Sequence, residues 1–302
     1  MGPIIVAGIT NIETSLAVEG FPVDYAKSRF VFHGVRDRIG GVGYNVGRAL
    51  AHLGARVELA TMLGRDRFGA MLEGELRATP GLGCAGVLRA QERTLRSVIA
   101  VDPAGRGAMF TDLKDSQETA YPRSALQALL PGAGILHASN INWAYDLALA
   151  AKEAGVRVCT DVQAIGSLDE PYNTRFLHAA DIVLFSGENL RVDAAAAVRR
   201  LWDDFDVRLA VCTLGAEGAL LGDRSERVVR HFPAVPLRAP RNVTGAGDAF
   251  AAGFLAALQG SHTPEEAVLR GQLVAGYRIG EEGDDHGLPP RELLEAEYAR
   301  RR

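Results

Sequence analysis

The chain has 302 residues, 47% of them hydrophobic and 23% charged, which suits a soluble globular protein with a sizeable buried core rather than a disordered one. Its formal charge is −4 with no long basic run, which argues against nucleic acid or an anionic membrane as partner. Cys84, Cys159 and Cys212 are far apart and form no CxxC pair, so neither a disulfide framework nor a zinc site is expected, and a reducing compartment fits.

In chain order, the apolar run Ile4–Ile9 predicts a buried strand. It is too short for a membrane span and lacks the basic flank of a signal peptide, so a cytoplasmic protein is expected. Residues 11–40 alternate in short strand-like stretches. Val46–Leu53 then predicts a helix and Val57–Met62 a core strand. A second β-rich stretch covers about residues 90–114. Within it, Arg96–Val101 and Ala108–Phe110 predict a hairpin around Asp102-Pro103-Ala104-Gly105. From there strands and helices alternate: strands at Ile135–Ala138, Val156–Thr160, Ile182–Phe185 and Val207–Thr213, helices at Ala144–Ala154 and Val192–Trp202. This rhythm predicts βαβ units and a largely parallel sheet covered by helices on both faces. The two β-rich inserts predict a small second sheet: a lid if they meet in space, a surface meander otherwise. One domain over residues 1–302, with the lid inserted from about 11–40 and 90–114, is the expected organisation.

Two glycine clusters carry the chemistry. The later one, Asn242-Val243-Thr244-Gly245-Ala246-Gly247-Asp248, runs straight into an apolar helix through Phe250, Phe254, Leu255 and Leu258. Bare backbone at a helix start offers unpaired N–H donors and positive dipole charge, which suits a phosphate. Asp248 beside such a cradle is placed to take a proton from an attacking hydroxyl. A glycine-softened turn capping an ordinary helix is the plainer alternative. The earlier cluster, Gly40-Gly41-Val42-Gly43-Tyr44-Asn45-Val46-Gly47, also precedes a helix, and Asn45 can cap it or bind a polyol hydroxyl. A dinucleotide fingerprint needs a buried strand immediately before it, and Arg36-Asp37-Arg38-Ile39 does not supply one. Lys27, Lys114 and Lys152 are the only lysines, none in a glycine-rich loop, which excludes a lysine-based phosphate loop.

In order and spacing, these two clusters resemble the signatures of the ribokinase-like (pfkB-type) carbohydrate and nucleoside kinase family. Gly8–Glu13, Gly64-Arg65-Asp66-Arg67-Phe68-Gly69 and Thr213-Leu214-Gly215-Ala216-Glu217-Gly218 are similar to three weaker family segments. The resemblance implies a three-layer α/β sandwich with a β-sheet lid, ATP and Mg2+ as cofactors, and transfer of phosphate to a hydroxyl of a sugar or nucleoside. It implies Asp248 as the base and the N–H groups of Gly245, Ala246 and Gly247 as the anion hole. Asn11, Glu13, Gly41 and Asn45 would hold the acceptor, and Thr213, Gly215 and Gly218 the nucleotide. Glu13 stands where an aspartate is usual. Asn242-Val243 replaces the usual Asp-Thr, which argues against potassium activation. Ser186-Gly187-Glu188-Asn189 aligns with a magnesium-linked Asn-x-x-Glu segment, and Glu188 is the candidate metal residue. A nucleoside acceptor and a non-catalytic sugar-binding protein are the alternatives; an aromatic lid platform would favour a base, a polar pocket a sugar. Dimerisation through an exposed lid edge is a further expectation.

Less weighty candidates are Asp161 at a strand end, expected to cap the next turn, and Asn140, Asn142 and Trp143 near the acceptor. Phe30 and His33 in the first insert are candidates for covering it, and His52 is expected simply to pack or face solvent.

Overall fold

A computed structural model describes residues 2–241, 243–280 and 287–301. Its strands are β1 (Ile4–Ala7), β2 (Asn11–Ala17), β3 (Val35–Gly40), β4 (Val57–Gly64), β5 (Leu82–Gln91), β6 (Arg96–Val101), β7 (Gly107–Asp112), β8 (Ile135–Ser139), β9 (Arg157–Ala164), β10 (Ile182–Ser186), β11 (Leu209–Thr213), β12 (Ala219–Asp223) and β13 (Val228–Phe232). Its helices are α1 (Val42–His52), α2 (Arg67–Ala78), α3 (Arg123–Leu129), α4 (Asn142–Glu153), α5 (Pro171–Ala179), α6 (Ala194–Phe205), α7 (Ala246–Gln259), α8 (Pro264–Arg278) and α9 (Arg291–Ala299).

The large sheet has the order β13-β12-β11-β10-β9-β8-β1-β4-β5. From β11 to β5 every neighbouring pair is parallel, while β12 and β13 add an antiparallel edge. Alternation along β1 shows why its whole run is apolar. Ile4 and Val6 face the layer holding Leu50 of α1 and Phe254 of α7, while Ile5 and Ala7 face Trp143 and Leu147 of α4. A strand buried on both faces has no solvent side on which to place polar residues. Helices α1, α2, α7, α8 and α9 cover one face, and α3, α4, α5 and α6 the other.

The second sheet has the order β3-β2-β6-β7. Strands β2 and β6 pair in parallel and so join the two β-rich inserts, and β2 follows β1 with three residues between. The lid sheet thus hangs from the carboxyl end of β1, which lies between β8 and β4 in the large sheet. Asp66 ties its base down: its carboxylate caps α2 by accepting from the Gly69 amide at 2.9 Å, and accepts from the Thr94 amide at 3.1 Å just ahead of β6.

Strands β5, β12 and β13 and helices α2, α3, α5, α8 and α9 lie outside the sequence-predicted elements. Gly83 and Gly86 break the apolar run of β5, and α8 is buried on all sides, including at Arg270 and Arg278, so it shows no polar stripe.

The start of α1 lies against the end of β1. A Cβ built on Gly43 would sit 2.4 Å from the Gly8 carbonyl oxygen, backbone that cannot move aside. Gly43→Ala should therefore lower stability by about 1–3 kcal/mol through overpacking. Gly47→Ala, four residues along the same helix, meets only the flexible end of Leu82 at 3.2 Å and should be tolerated. Thermal melts of the two variants check this; equal midpoints would contradict the packing argument.

Candidate active site

The site lies at the carboxyl ends of the parallel strands, where ligands bind in open α/β sheets. Two helix starts converge there. Gly245 precedes α7 with φ of 76°, a left-handed conformation that glycine adopts without a Cβ penalty, and the helix begins at Ala246. Gly41 precedes α1 with φ of 92°, and a Cβ there would come within 2.5 Å of the Ile9 carbonyl oxygen. Helix α1 packs on α7, and Asn45 Nδ2 donates to Asp248 Oδ2 at 2.7 Å. The two glycine clusters are therefore one site.

Asp248 is 8% exposed. Burial pushes its carboxyl up to about 6. The Asn45 hydrogen bond and the Arg278 and Arg38 guanidinium groups oppose that rise, and Glu13 adds to it. Asp161 lies inside β9, which runs on past the strand end expected at Thr160; its carboxylate accepts from the Gln163 amide at 2.8 Å and so caps a local kink where Gln163 has φ of 60°. It is also buried: burial, with the nearby Asp248 carboxylate, lifts it to about 7 despite the hydrogen bond from Gln163. The capping role was legible in the sequence; the electrostatic coupling to Asp248 was not.

Around α7, the Ala246 amide closes a turn on the Val243 carbonyl at 3.1 Å. A Cβ on Gly247 would meet nothing within 4 Å, so open space lies beside that backbone. The Arg278 guanidinium lies alongside Gly245, its Nε 3.6 Å from where a Cβ on that glycine would stand. Asn242, and with it the residue-level basis of the potassium argument, falls outside the described residues.

On the lid, the Glu13 carboxylate accepts from Arg38 Nε at 2.8 Å and Nη2 at 2.6 Å, and from the Gly41 amide at 3.3 Å. Asn11 Nδ2 donates to Ser97 Oγ at 2.8 Å, while Asn11 Oδ1 is buried with no hydrogen-bond partner among the described residues. Asn11, Glu13, Gly41 and Asn45 are thus brought together. One cleft is lined by Arg38, Asn45, Gly245, Asp248 and Arg278, among others.

Thr213, Gly215 and Gly218 lie farther along the sheet. The end of β11 runs into a turn in which the Leu214 amide donates to the Gly218 carbonyl at 2.8 Å. Gly218, with φ of 99°, lies so close to Phe232 that a Cβ would stand 2.0 Å from that carbonyl oxygen. Four strand spacings separate β11 from β1, roughly 19 Å at about 4.8 Å each, a span that suits an elongated nucleotide reaching from that loop towards Asp248. Glu188 is exposed beside this loop, where the Gly187 amide donates to the Thr213 carbonyl at 2.9 Å. Among the described residues no group of three or more His, Cys, Asp or Glu side chains could hold a metal by itself.

The remaining candidates are engaged elsewhere. Asn140 donates to Asn173 and Asn142 to the Gln117 carbonyl, while Trp143 is buried and stacked on Tyr121. Phe30 and His33 are exposed in the lid's connecting segment, and His52 meets the Pro289 carbonyl at 3.1 Å. Arg38, Arg48 and Arg278 are charged cleft residues that sequence reasoning missed. A basic residue inside the otherwise small and apolar stretch Val274–Gly280 was the available signal for Arg278. Cys84, Cys159 and Cys212 are free thiols, and no helix among the described residues is long and apolar enough to cross a membrane.

Comparison with known proteins agrees with this geometry. The pfkB family carbohydrate kinase model matches residues 1–291. The chain is 31% identical over 276 residues to an acarbose 7(IV)-phosphotransferase of an Actinoplanes species, covering 90% of each chain. It is 30% identical over 305 residues to a 1-phosphofructokinase of Rhodobacter capsulatus, covering 94% of this chain and 92% of the relative. Among solved structures it resembles a microbiome-derived acarbose kinase, with a TM-score of 0.89 at 24% identity and 99% of each chain covered. It also resembles the Arabidopsis thaliana ribokinase complexed with ribose and ATP, with a TM-score of 0.83 at 20% identity and 98% of each chain covered. With the family model spanning nearly the whole length, the chain belongs to the pfkB family of carbohydrate kinases.

Proposed function

We propose that this protein transfers the γ-phosphoryl group of ATP to a hydroxyl of a small sugar-like acceptor, with Asp248 as general base. The observation that carries this reading is the buried Asp248 carboxylate, held by Asn45 beside the helix-start backbone of Gly245–Gly247. A carboxyl lifted to about 6 is ionised at neutral pH yet basic enough to accept a proton.

The acceptor oxygen attacks the γ-phosphorus in line and forms the new O–P bond. The bond to the β-phosphate oxygen breaks, ADP leaves, and the acceptor's proton passes to Asp248 Oδ1 or Oδ2. The Gly245 and Gly247 amides, with Ala246 where it releases Val243, donate to the transferring group as charge builds on it. Thr213, Gly215 and Gly218 hold the nucleotide, and the lid excludes water that would otherwise be phosphorylated in the acceptor's place. Glu188, whose carboxylate is a hard oxygen donor, would be the residue on this loop to hold Mg2+. When bound, that ion neutralises phosphate charge. Such a reaction belongs in the cytoplasm, where ATP is supplied.

A sugar rather than a nucleoside is favoured by a polar row on the lid. Glu13, Ser97 and Thr111 lie side by side across β2, β6 and β7, on a face that the Ile99–Met109 pair continues two residues along, while Val98 and Phe110 sit at alternating positions on the opposite face. A non-catalytic binder would have no use for a buried carboxylate beside the phosphate cradle.

Asp248→Asn should lower kcat by about 10^2- to 10^4-fold while leaving ATP affinity within a few-fold. Near-normal turnover in a coupled ADP-release assay would refute the assignment. Because the base must be ionised, kcat/KM should fall as pH drops through about 6. Asn45 Nδ2 stabilises the ionised form, so Asn45→Leu should raise the carboxyl further and move this acid limb to higher pH. A pH–rate profile of both proteins checks the direction; a limb that stays put or moves down removes Asn45 from this role.

A further inference from the structure

We propose that Arg38, ion-paired with Glu13 across neighbouring lid strands and lining the cleft of Asp248, selects the acceptor, the pair binding two adjacent hydroxyls of a neutral polyol. The inference rests on the kinase reading above.

Arg38 of β3 stands directly opposite Glu13 of β2. Their side chains are 11% and 8% exposed, and the guanidinium contributes both Nε and Nη2 to the same carboxylate oxygen. Glu13 Oε1 faces the Gly41 amide at 3.3 Å. A Cβ on Gly40 would stand 2.1 Å from the Glu13 carboxyl carbon, so only glycine leaves room for the carboxylate in this position. The longer side chain is therefore folded back and pinned rather than extended alone into the cleft, while Arg38 reaches the same cleft as Asn45, Gly245 and Asp248.

Holding an ion pair out of water costs solvation that Coulomb attraction seldom fully restores, so its place beside a catalytic carboxylate calls for a role in binding. A guanidinium presents N–H donors in a rigid plane and a carboxylate presents acceptor lone pairs. Two neighbouring hydroxyls offer an acceptor and a donor in complementary order, and each new bond is charge-assisted. The pair carries no net charge. A phosphate-bearing acceptor would bring a second anion against the buried Glu13 carboxylate, and like charges held out of water repel strongly. Neutral sugars are thus matched and sugar phosphates penalised.

The groups that face Asp248 also give the test a second readout. They are Glu13 and Arg38 from the lid, Asn45 from α1, Arg278 from α8 and Asp161 from β9. Arg38 favours the ionised form of Asp248 and Glu13 disfavours it. Removing either charge should therefore shift the acid limb of kcat/KM in opposite directions.

Steady-state kinetics of the full chain with ATP and a panel of neutral mono- and oligosaccharides and their phosphate esters tests the proposal. The unaltered protein should turn over neutral sugars in preference to the esters. Arg38→Lys keeps the charge but loses the planar fork, and should raise acceptor KM about tenfold with kcat and ATP KM within about threefold. Arg38→Gln should move the acid limb to higher pH and Glu13→Gln to lower pH. If a single charge removal impairs folding in a thermal melt, the double variant Glu13→Gln with Arg38→Gln replaces the pair by two amides. It should still show the raised acceptor KM and a lost preference for neutral sugars. Unchanged acceptor KM and selectivity in Arg38→Lys and the double variant, or a preference of the unaltered protein for phosphate esters, overturns the proposal. These results are separable from failure of the kinase reading, which would appear as retained turnover in Asp248→Asn.

Discussion

A hydrogen bond between Asn45 and Asp248, 203 residues apart in the chain, holds the site in one piece. It joins the helix that starts at the early glycine cluster to the helix that starts at the late one, and both rest on the central strands. Each helix start is positioned by bare backbone: Gly43 against Gly8, Gly41 against Ile9, and Gly245 in the left-handed region. With side chains at these positions the two N-termini could not approach the strand ends closely enough for the bond to form. The bond also favours the ionised form of a carboxylate that burial pushes towards protonation.

The lid depends on the same frame. Strand β2 follows β1 after three residues, so the orientation of β1 sets where Asn11 and Glu13 stand. Parallel pairing of β2 with β6 recruits the second insert, and the Asp66 cap of α2 fixes the entry to β6 through Thr94. Strand alternation sets Glu13, Ser97 and Thr111 in one polar row on one face of the lid, with Val98 and Phe110 on the other. The proposed acceptor residues, base and phosphate cradle are in this way all placed by how segments leave the ends of parallel strands.

The two proposed binding ends are divided along the sheet. The turn carrying Thr213, Gly215 and Gly218 follows β11, while Asn11 and Glu13 follow β1, with three strands between. Asp161 in β9 lies between these two ends, close enough to Asp248 for that carboxylate's charge to add to its rise. Two buried carboxyl groups raised together are more often found at a reaction centre than in a structural core.

Local chemistry made much of this legible without a structure. The doubly apolar strands, the helix starts after glycine clusters and the two β-rich inserts all follow from residue periodicity, because burial on two faces and backbone freedom leave direct marks in composition. The roles proposed for Asp248, Asn45 and the glycine cradle rest on the same local signals joined to the family resemblance. The Glu13–Arg38 pair, the coupling of Asp161 to Asp248 and the place of Arg278 beside Gly245 were decided only in three dimensions. Each depends on strand register or helix crossing between segments distant in the chain, and an isolated charged residue looks the same in sequence whether it is solvated or buried against a partner. Periodicity reports which face of an element is buried; which charges meet across that burial is set by tertiary packing.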